Sequence, residues 1–183
     1  MSTPHHHQHQ HTNSSRPSRP SSTLLPKPPI KADPTASLST QTTLSGTHPI
    51  TLYASSSISP RTRLTTLYAP ITIGSRSTIF EHSSIGALSL GKVDGKGDDA
   101  LAEGVVIAED VEVRTAAVVE ARSLGKGCLV CEGARLGKGV RISEDAVVGP
   151  AVRLKAGEDL EKGEVVCWIG GRRVRRWKGG FGE

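Results

Sequence analysis

From residue 52 onward the chain places an aliphatic side chain at every sixth position, a spacing that few folds accommodate. Leu52, Ile58 and Leu64 are six apart, as are Ile73, Ile79, Ile85 and then Ile107, Val113, Val119. An uninterrupted series follows through Leu124, Val130, Leu136, Ile142, Val148, Leu154, Leu160 and Val166. On a helix, six residues advance a side chain by about 600°, so successive aliphatics would point in three directions. On extended chain six is a multiple of two, and all of them face the same side. Short strands separated by turns, three to a triangular coil of about 18 residues, satisfy the period. Aliphatics would fill the interior of such a coil.

Four residues after most of these positions stands a small or β-branched residue: Ser77, Ser83, Ser89, Ala117, Ser123, Cys128, Ala134, Val140, Ala146, Val152. These fit tight corners. The rule lapses at Glu158 and Glu164, where the series is expected to end. Gly74, Gly86, Gly125, Gly137 and Gly149 are expected to relieve the turns. Composition agrees with a core of small aliphatics, since aromatic residues supply only 3% of the chain.

The register breaks mark the organisation. Three residues are added between Leu64 and Ile73, and one is lost between Val119 and Leu124. Between Ile85 and Ile107 a polar Gly-rich stretch predicts a loop thrown out of the coil at about 87–104. Leu38 and Leu44 belong to a first, irregular coil beginning near Ile30. The expected architecture is therefore all-β: about seven hexapeptide-repeat coils of parallel β-helix over 30–168. A disordered Ser/Pro/His/Gln tail at 1–29 precedes it and a basic exit segment at 169–183 follows.

The net charge of +5 invites a nucleic-acid reading until it is divided along the chain. Residues 1–29 carry +3 and residues 172–183 carry +4, leaving the middle at −2. The basic balance thus belongs to the ends, and nucleic acid is not the expected partner. The longest unbroken apolar run, Val165 to Ile169, is far short of the roughly 20 residues a spanning helix needs, so no membrane insertion is expected. Three cysteines and a polar N-terminus read as a cytoplasmic protein.

Few residues offer chemistry. His5, His6, His7, His9 and His11 can bind transition metals, but their plainer reading is a low-complexity tail or a purification tag. Within the repeat only His48 and His82 remain. His82 could act as the base of a coenzyme-A-dependent acyltransferase, although a surface histidine on a turn is the more ordinary reading. A catalytic zinc needs three protein ligands and an open position, which two histidines some thirty residues apart do not supply. Cys128 and Cys131 form a C-x-x-C with only Cys167 left to extend it; Cys128 should pack inward as a small hydrophobe and Cys131 should face out. No catalytic residue, metal ligand or cofactor is therefore expected. Arg172, Arg173, Arg175, Arg176 and Trp177 form a basic exit that suits docking on an acidic protein surface, a solvated tail being the bland alternative.

Several stretches resemble the dynactin subunit 6 family, in its fungal type. They are SGTHPITL (45–52), APITIGSRSTIFEHSSIG (69–86), the block VVIAEDVEVRTAAVVEARSLGKGCLVCEGARLGKGVRI (105–142) and the exit EVVCWIGGRRVRRW (164–177). The resemblance covers about residues 30 to 177. It implies a left-handed coil and a non-catalytic structural and adaptor role at the pointed end of dynactin. The expected partners are a second β-helix subunit, dynactin subunit 5, and the actin-related pointed end. The location implied is cytoplasmic and cytoskeletal, in support of dynein-driven movement and cargo attachment along microtubules. An acetyl-coenzyme-A-dependent acyltransferase and a β-helix scaffold with another partner are the alternatives.

Overall fold

A computed structural model describes residues 26–86 and 104–177. The tail up to residue 25, with its histidines, and residues 87–103 of the expected loop lie outside the described residues.

The sixfold aliphatic phase becomes the interior of a parallel β-solenoid with no helix among the described residues. Sheet A stacks β1 (Ile30–Ala32), β4 (Ile50–Leu52), β7 (Ile71–Ile73), β10 (Val105–Ile107), β13 (Ser123–Leu124), β16 (Arg141–Ile142) and β19 (Asp159–Leu160). Sheet B stacks β2 (Ser37–Leu38), β5 (Ser57–Ile58), β8 (Thr78–Ile79), β11 (Glu112–Val113), β14 (Leu129–Val130), β17 (Val147–Val148) and β20 (Glu164–Ile169). Sheet C stacks β3 (Thr43–Gly46), β6 (Arg63–Thr66), β9 (Ser84–Ile85), β12 (Val118–Val119), β15 (Arg135–Leu136) and β18 (Arg153–Leu154). Six full coils and two sides of a seventh result, close to the expected seven.

All seventeen aliphatics of the sixfold phase are buried, none more than 3% exposed. Each sits above its equivalent one coil away, as in Leu124↔Ile142↔Leu160 and Val130↔Val148↔Val166. Burying a side chain of this size stabilises by about 1.5–3 kcal/mol, so the column of aliphatics is the main cohesive element. Most of the small corner residues are buried too, and Ser77 and Ser83 bridge coils; Ser123 is instead half-buried on β13, and Ser89 lies outside the described residues. Ser77 Oγ donates to the Ala108 carbonyl at 2.7 Å and Ser83 Oγ to the Arg114 carbonyl at 2.9 Å.

The turn glycines behave differently from expectation. Gly74, Gly125, Gly137 and Gly149 are not in the left-handed region; of the five, only Gly86 has a positive φ, +110°. The four are needed because the next coil passes too close for a Cβ. One built on Gly74 would lie 2.5 Å from the Ala108 carbonyl carbon, and one on Gly125 would lie 2.6 Å from Glu144 N. The left-handed position comes two residues later, three after the inward aliphatic. Gly127, Gly133, Gly139, Gly157 and Gly163 occupy it, but so do Ser55, Arg61, Arg76, His82, Asp110, Ala116, Asp145 and Ala151.

The register breaks all fall on one edge of the prism, between sheets C and A. They lie between β3 and β4, β6 and β7, β9 and β10, and β12 and β13. The first three of these connections are longer than a hexad allows, and the third contains the 87–103 stretch. Extra inward aliphatics fill the wider corner, with Ile50, Ile71 and Val105 each two residues before the regular inward position. Residues 26–29, expected to belong to the tail, are instead hydrogen-bonded to the stack. The Pro26 carbonyl accepts from Gly46 N at 3.0 Å and the Pro29 carbonyl from Ile50 N at 2.9 Å.

Candidate interaction surfaces

The basic exit is a strand. β20 runs on past the corner where its predecessors turn, and β21 (Arg172–Trp177) folds back against it from Glu164↔Trp177 to Ile169↔Arg172. Gly170 and Gly171 make the two-residue connection with φ of +57° and +77°, the pair of positive values that a type I′ hairpin turn demands. β21 becomes the eighth strand of sheet B, antiparallel to the rest.

Alternation along β21 divides the four arginines between two faces. Arg173 and Arg175 lie over the open end of the last coil. Arg173 Nη1 donates to the Arg153 carbonyl at 3.0 Å, and its two Nη atoms grip Glu158 at 3.1 and 2.7 Å. Arg175 Nη2 donates to the Asp159 carbonyl at 2.8 Å and to Glu164 Oε2 at 2.9 Å, while Nε donates to Glu164 Oε1. The carbonyls of Arg153 and Asp159 belong to β18 and β19, the last strands of sheets C and A, which have no further coil to pair with. One strand thus covers β20, and the two guanidinium groups each satisfy a carbonyl on the terminal strands of the other two sheets, which would otherwise be unpaired.

The lapse of the corner rule at Glu158 and Glu164 has the same cause. Both carboxylates stand where small residues stand elsewhere, and each turns back to accept a backbone N–H. Lys155 N donates to Glu158 at 2.9 Å and Glu161 N donates to Glu164 at 3.0 Å. Hydrogen bonds from Arg175 hold the Glu164 carboxyl below the usual carboxylate range, against the opposing effect of burial. Burial would raise Glu158, but the hydrogen bonds from Arg173 and Lys155 N and the charges of Arg173 and Arg175 outweigh it and lower the carboxyl. Sequence reasoning placed the end of the repeat here without pairing the glutamates with the arginines. The signal was present: two acids break a rule just before four arginines.

Arg172 and Arg176 lie on the opposite, outward face of the hairpin and are exposed, with Val174 between them half-buried. Trp177 closes β21 with its backbone opposite Glu164. The structure therefore divides the four arginines of the expected contact region between two faces instead of presenting them together.

The remaining singled-out residues are dispersed. His82 is exposed on a left-handed turn at φ +59°. His48 is half-buried on the irregular edge, its Nδ1 2.9 Å from the Thr66 carbonyl. Cys128 is buried and its thiol donates to the Ser143 carbonyl at 2.9 Å. Cys131 is half-buried on the outside, where burial pushes its thiol up. All three cysteines are free thiols. Among the described residues no three His, Cys, Asp or Glu side chains converge to hold a metal ion, and no helix is long and apolar enough to cross a membrane.

The opposite end of the stack is less closed. Ala32, Leu38 and Leu44 take the inward places of the first coil, yet Ala32 is exposed and the leucines only half-buried. Ile30, 37% exposed, and the two leucines line a depression of about 420 Å³ together with Lys27, Ser39 and Thr42.

The coil stack is the fold of the hexapeptide-repeat left-handed β-helix proteins. Among solved structures, a hexapeptide transferase family protein from Anaplasma phagocytophilum superposes with a TM-score of 0.65 at 15% identity, over 84% of this chain and 85% of that one. A UDP-N-acetylglucosamine acyltransferase from Bacteroides fragilis matches at 12% identity over 84% of this chain and 71% of its own, with a TM-score of 0.36. At such identities the likeness extends to the fold alone. No protein-family model matches the sequence, and no curated protein does.

Proposed function

We propose that this chain is a non-catalytic structural and adaptor subunit of the dynactin pointed-end complex, supporting cargo attachment and dynein-driven movement along microtubules. The observation that supports this reading is where the resembling stretches go. Residues 105–142 supply the regular coils, and residues 164–177 supply the hairpin that seals the stack. Several charged side chains of these stretches pair with one another or with neighbouring coils along the outside of the stack, as Glu109 and Asp110 do with Arg76. Affinity purification of the tagged chain from its own cells tests the reading. Actin-related protein and a second β-helix subunit are expected among the co-eluting proteins, and their absence refutes the assignment.

A second reading is a hexapeptide acyltransferase, which the name of the Anaplasma neighbour favours. His82 would be its base, being the exposed histidine among the described residues. Acetyl-coenzyme A turnover that disappears in His82→Ala would establish it, and stoichiometric zinc retained after removal of residues 1–25 would instead point to a metal-dependent activity. On the adaptor reading neither is observed.

A further inference from the structure

The three faces of the prism offer equivalent outward positions on either side of each inward aliphatic, so their chemistry can be compared slot by slot. In the last coils sheet C presents Arg135, Arg153 and Lys155, and sheet A presents Arg141, Asp159 and Glu161. Sheet B presents Leu129, Cys131, Val147, Gly149, Val165 and Cys167, with no charge among them. Gly149 keeps this face flat: a Cβ there would lie 3.0 Å from the Cys167 Cβ. The raised Cys131 thiol stays protonated at neutral pH, so that position remains uncharged. The hairpin continues the strip, since Val174 lies opposite Cys167. At that end Arg172 and Arg176 share the outward face, opposite Ile169 and Val165, with no ion pair among the described residues. Toward the other end the first charges met are Glu112 and Arg114, which pair with each other at 3.0 Å.

We propose that this part of sheet B, from β14 to β21, is the docking surface for another protein chain whose matching surface is a flat apolar strip ending in carboxylates. The proposal rests on the subunit reading above and assigns the face that reading leaves open. Uncharged strip meets uncharged strip, while two outward arginines set register and steer encounter. A second copy of this chain does not fit. It would bring two more unpaired arginines, and the carboxylate on its own strip, Glu112, is already held by Arg114.

The test uses the full chain and purified dynactin subunit 5 from the same organism as probe. The face variant is Val147→Glu with Val165→Glu, and the control is Ser123→Glu with Ser143→Glu on sheet A. All four positions point outward, so parental melting curves are expected of both variants and are measured first. The face variant should weaken binding at least about tenfold, because Val147→Glu places a carboxylate in a desolvated strip and Val165→Glu, opposite Arg176, neutralises one of the two steering arginines. The control should bind like the parent. Arg172→Gln with Arg176→Gln should weaken binding less and flatten its salt dependence. Parental binding by the face variant overturns the assignment of the face and leaves the subunit reading intact. Failure of the parent chain to bind the probe overturns the subunit reading and this partner with it. A dimer of the parent chain in sedimentation velocity that Val147→Glu disperses overturns the choice of occupant.

Discussion

Glu164→Ala should unlatch the C-terminal end of the stack while leaving the interior coils in place. The Glu164 side chain is 7% exposed, and it accepts two bonds from Arg175 and one from Glu161 N. Bonds to charged groups contribute about 1.5–3 kcal/mol each when desolvated. The Arg175 side chain is 40% exposed, so solvent screens its share substantially. A net loss of about 2 kcal/mol is reasonable for the latch as a whole. In a solenoid each coil is held mainly by its neighbours, so the loss should appear as local opening before global unfolding. Hydrogen exchange reads this directly, and about 2 kcal/mol corresponds to roughly 30-fold less protection at Val165–Cys167. Amides of β14 and β15 should keep parental protection. Both corner carboxyls sit below their ordinary value of 4.5. Their contribution is therefore fully present above that value and is lost as pH falls through the lowered range. Glu164→Gln should flatten the acid dependence of hairpin protection, leaving the part that belongs to Glu158. Parental protection of the hairpin in Glu164→Ala would refute the latch, as would strict additivity with Arg175→Ala in a double-mutant cycle.

Three further outcomes follow from the coil geometry. Val130→Asp puts an unpaired charge at a position with 0% exposure, between Val113 and Val148 in adjacent coils; a loss of several kcal/mol and a large drop in melting temperature are expected. Gly86→Ala should destabilise far more than Gly133→Ala. The Cβ at Gly86 would lie 2.0 Å from the Thr65 carbonyl oxygen, whereas at Gly133, φ +64°, it meets nothing within 4 Å. Gly133→Ala should therefore cost only about 1 kcal/mol in denaturant melts, the price of a left-handed alanine, as Ala116 and Ala151 tolerate already. Reversing Arg173 and Arg175 to Glu should destabilise the hairpin by facing carboxylates with carboxylates, whereas reversing Arg172 and Arg176 should leave the melting curve unchanged.

The interior of this fold was legible because a period of six leaves one geometric solution for extended chain, and the side chains that carry it are unambiguous aliphatics. The corners were half legible. Ser77 and Ala134 announce a tight place by their size, but the reason for Gly125 is the path of the coil above it, which no local pattern contains. The glycines expected to bend the chain are the ones that let a neighbour pass, and the residues that bend it include Arg76 and Ala151. At the C-terminus, alternation in R-R-V-R-R decides which arginines face the stack. That alternation becomes readable only once the segment is known to be a strand, and the strand status depends on Gly170 and Gly171 turning the chain back. The basic exit thus looked like a single docking element because its charge was counted before its pairing was known. Once Glu158 and Glu164 claim Arg173 and Arg175, the cationic surface shrinks to Arg172 and Arg176. Those two stand beside the uncharged part of sheet B, from β14 to β21, which is why the proposed contact lies on the flank of the stack and not at the tip of the chain.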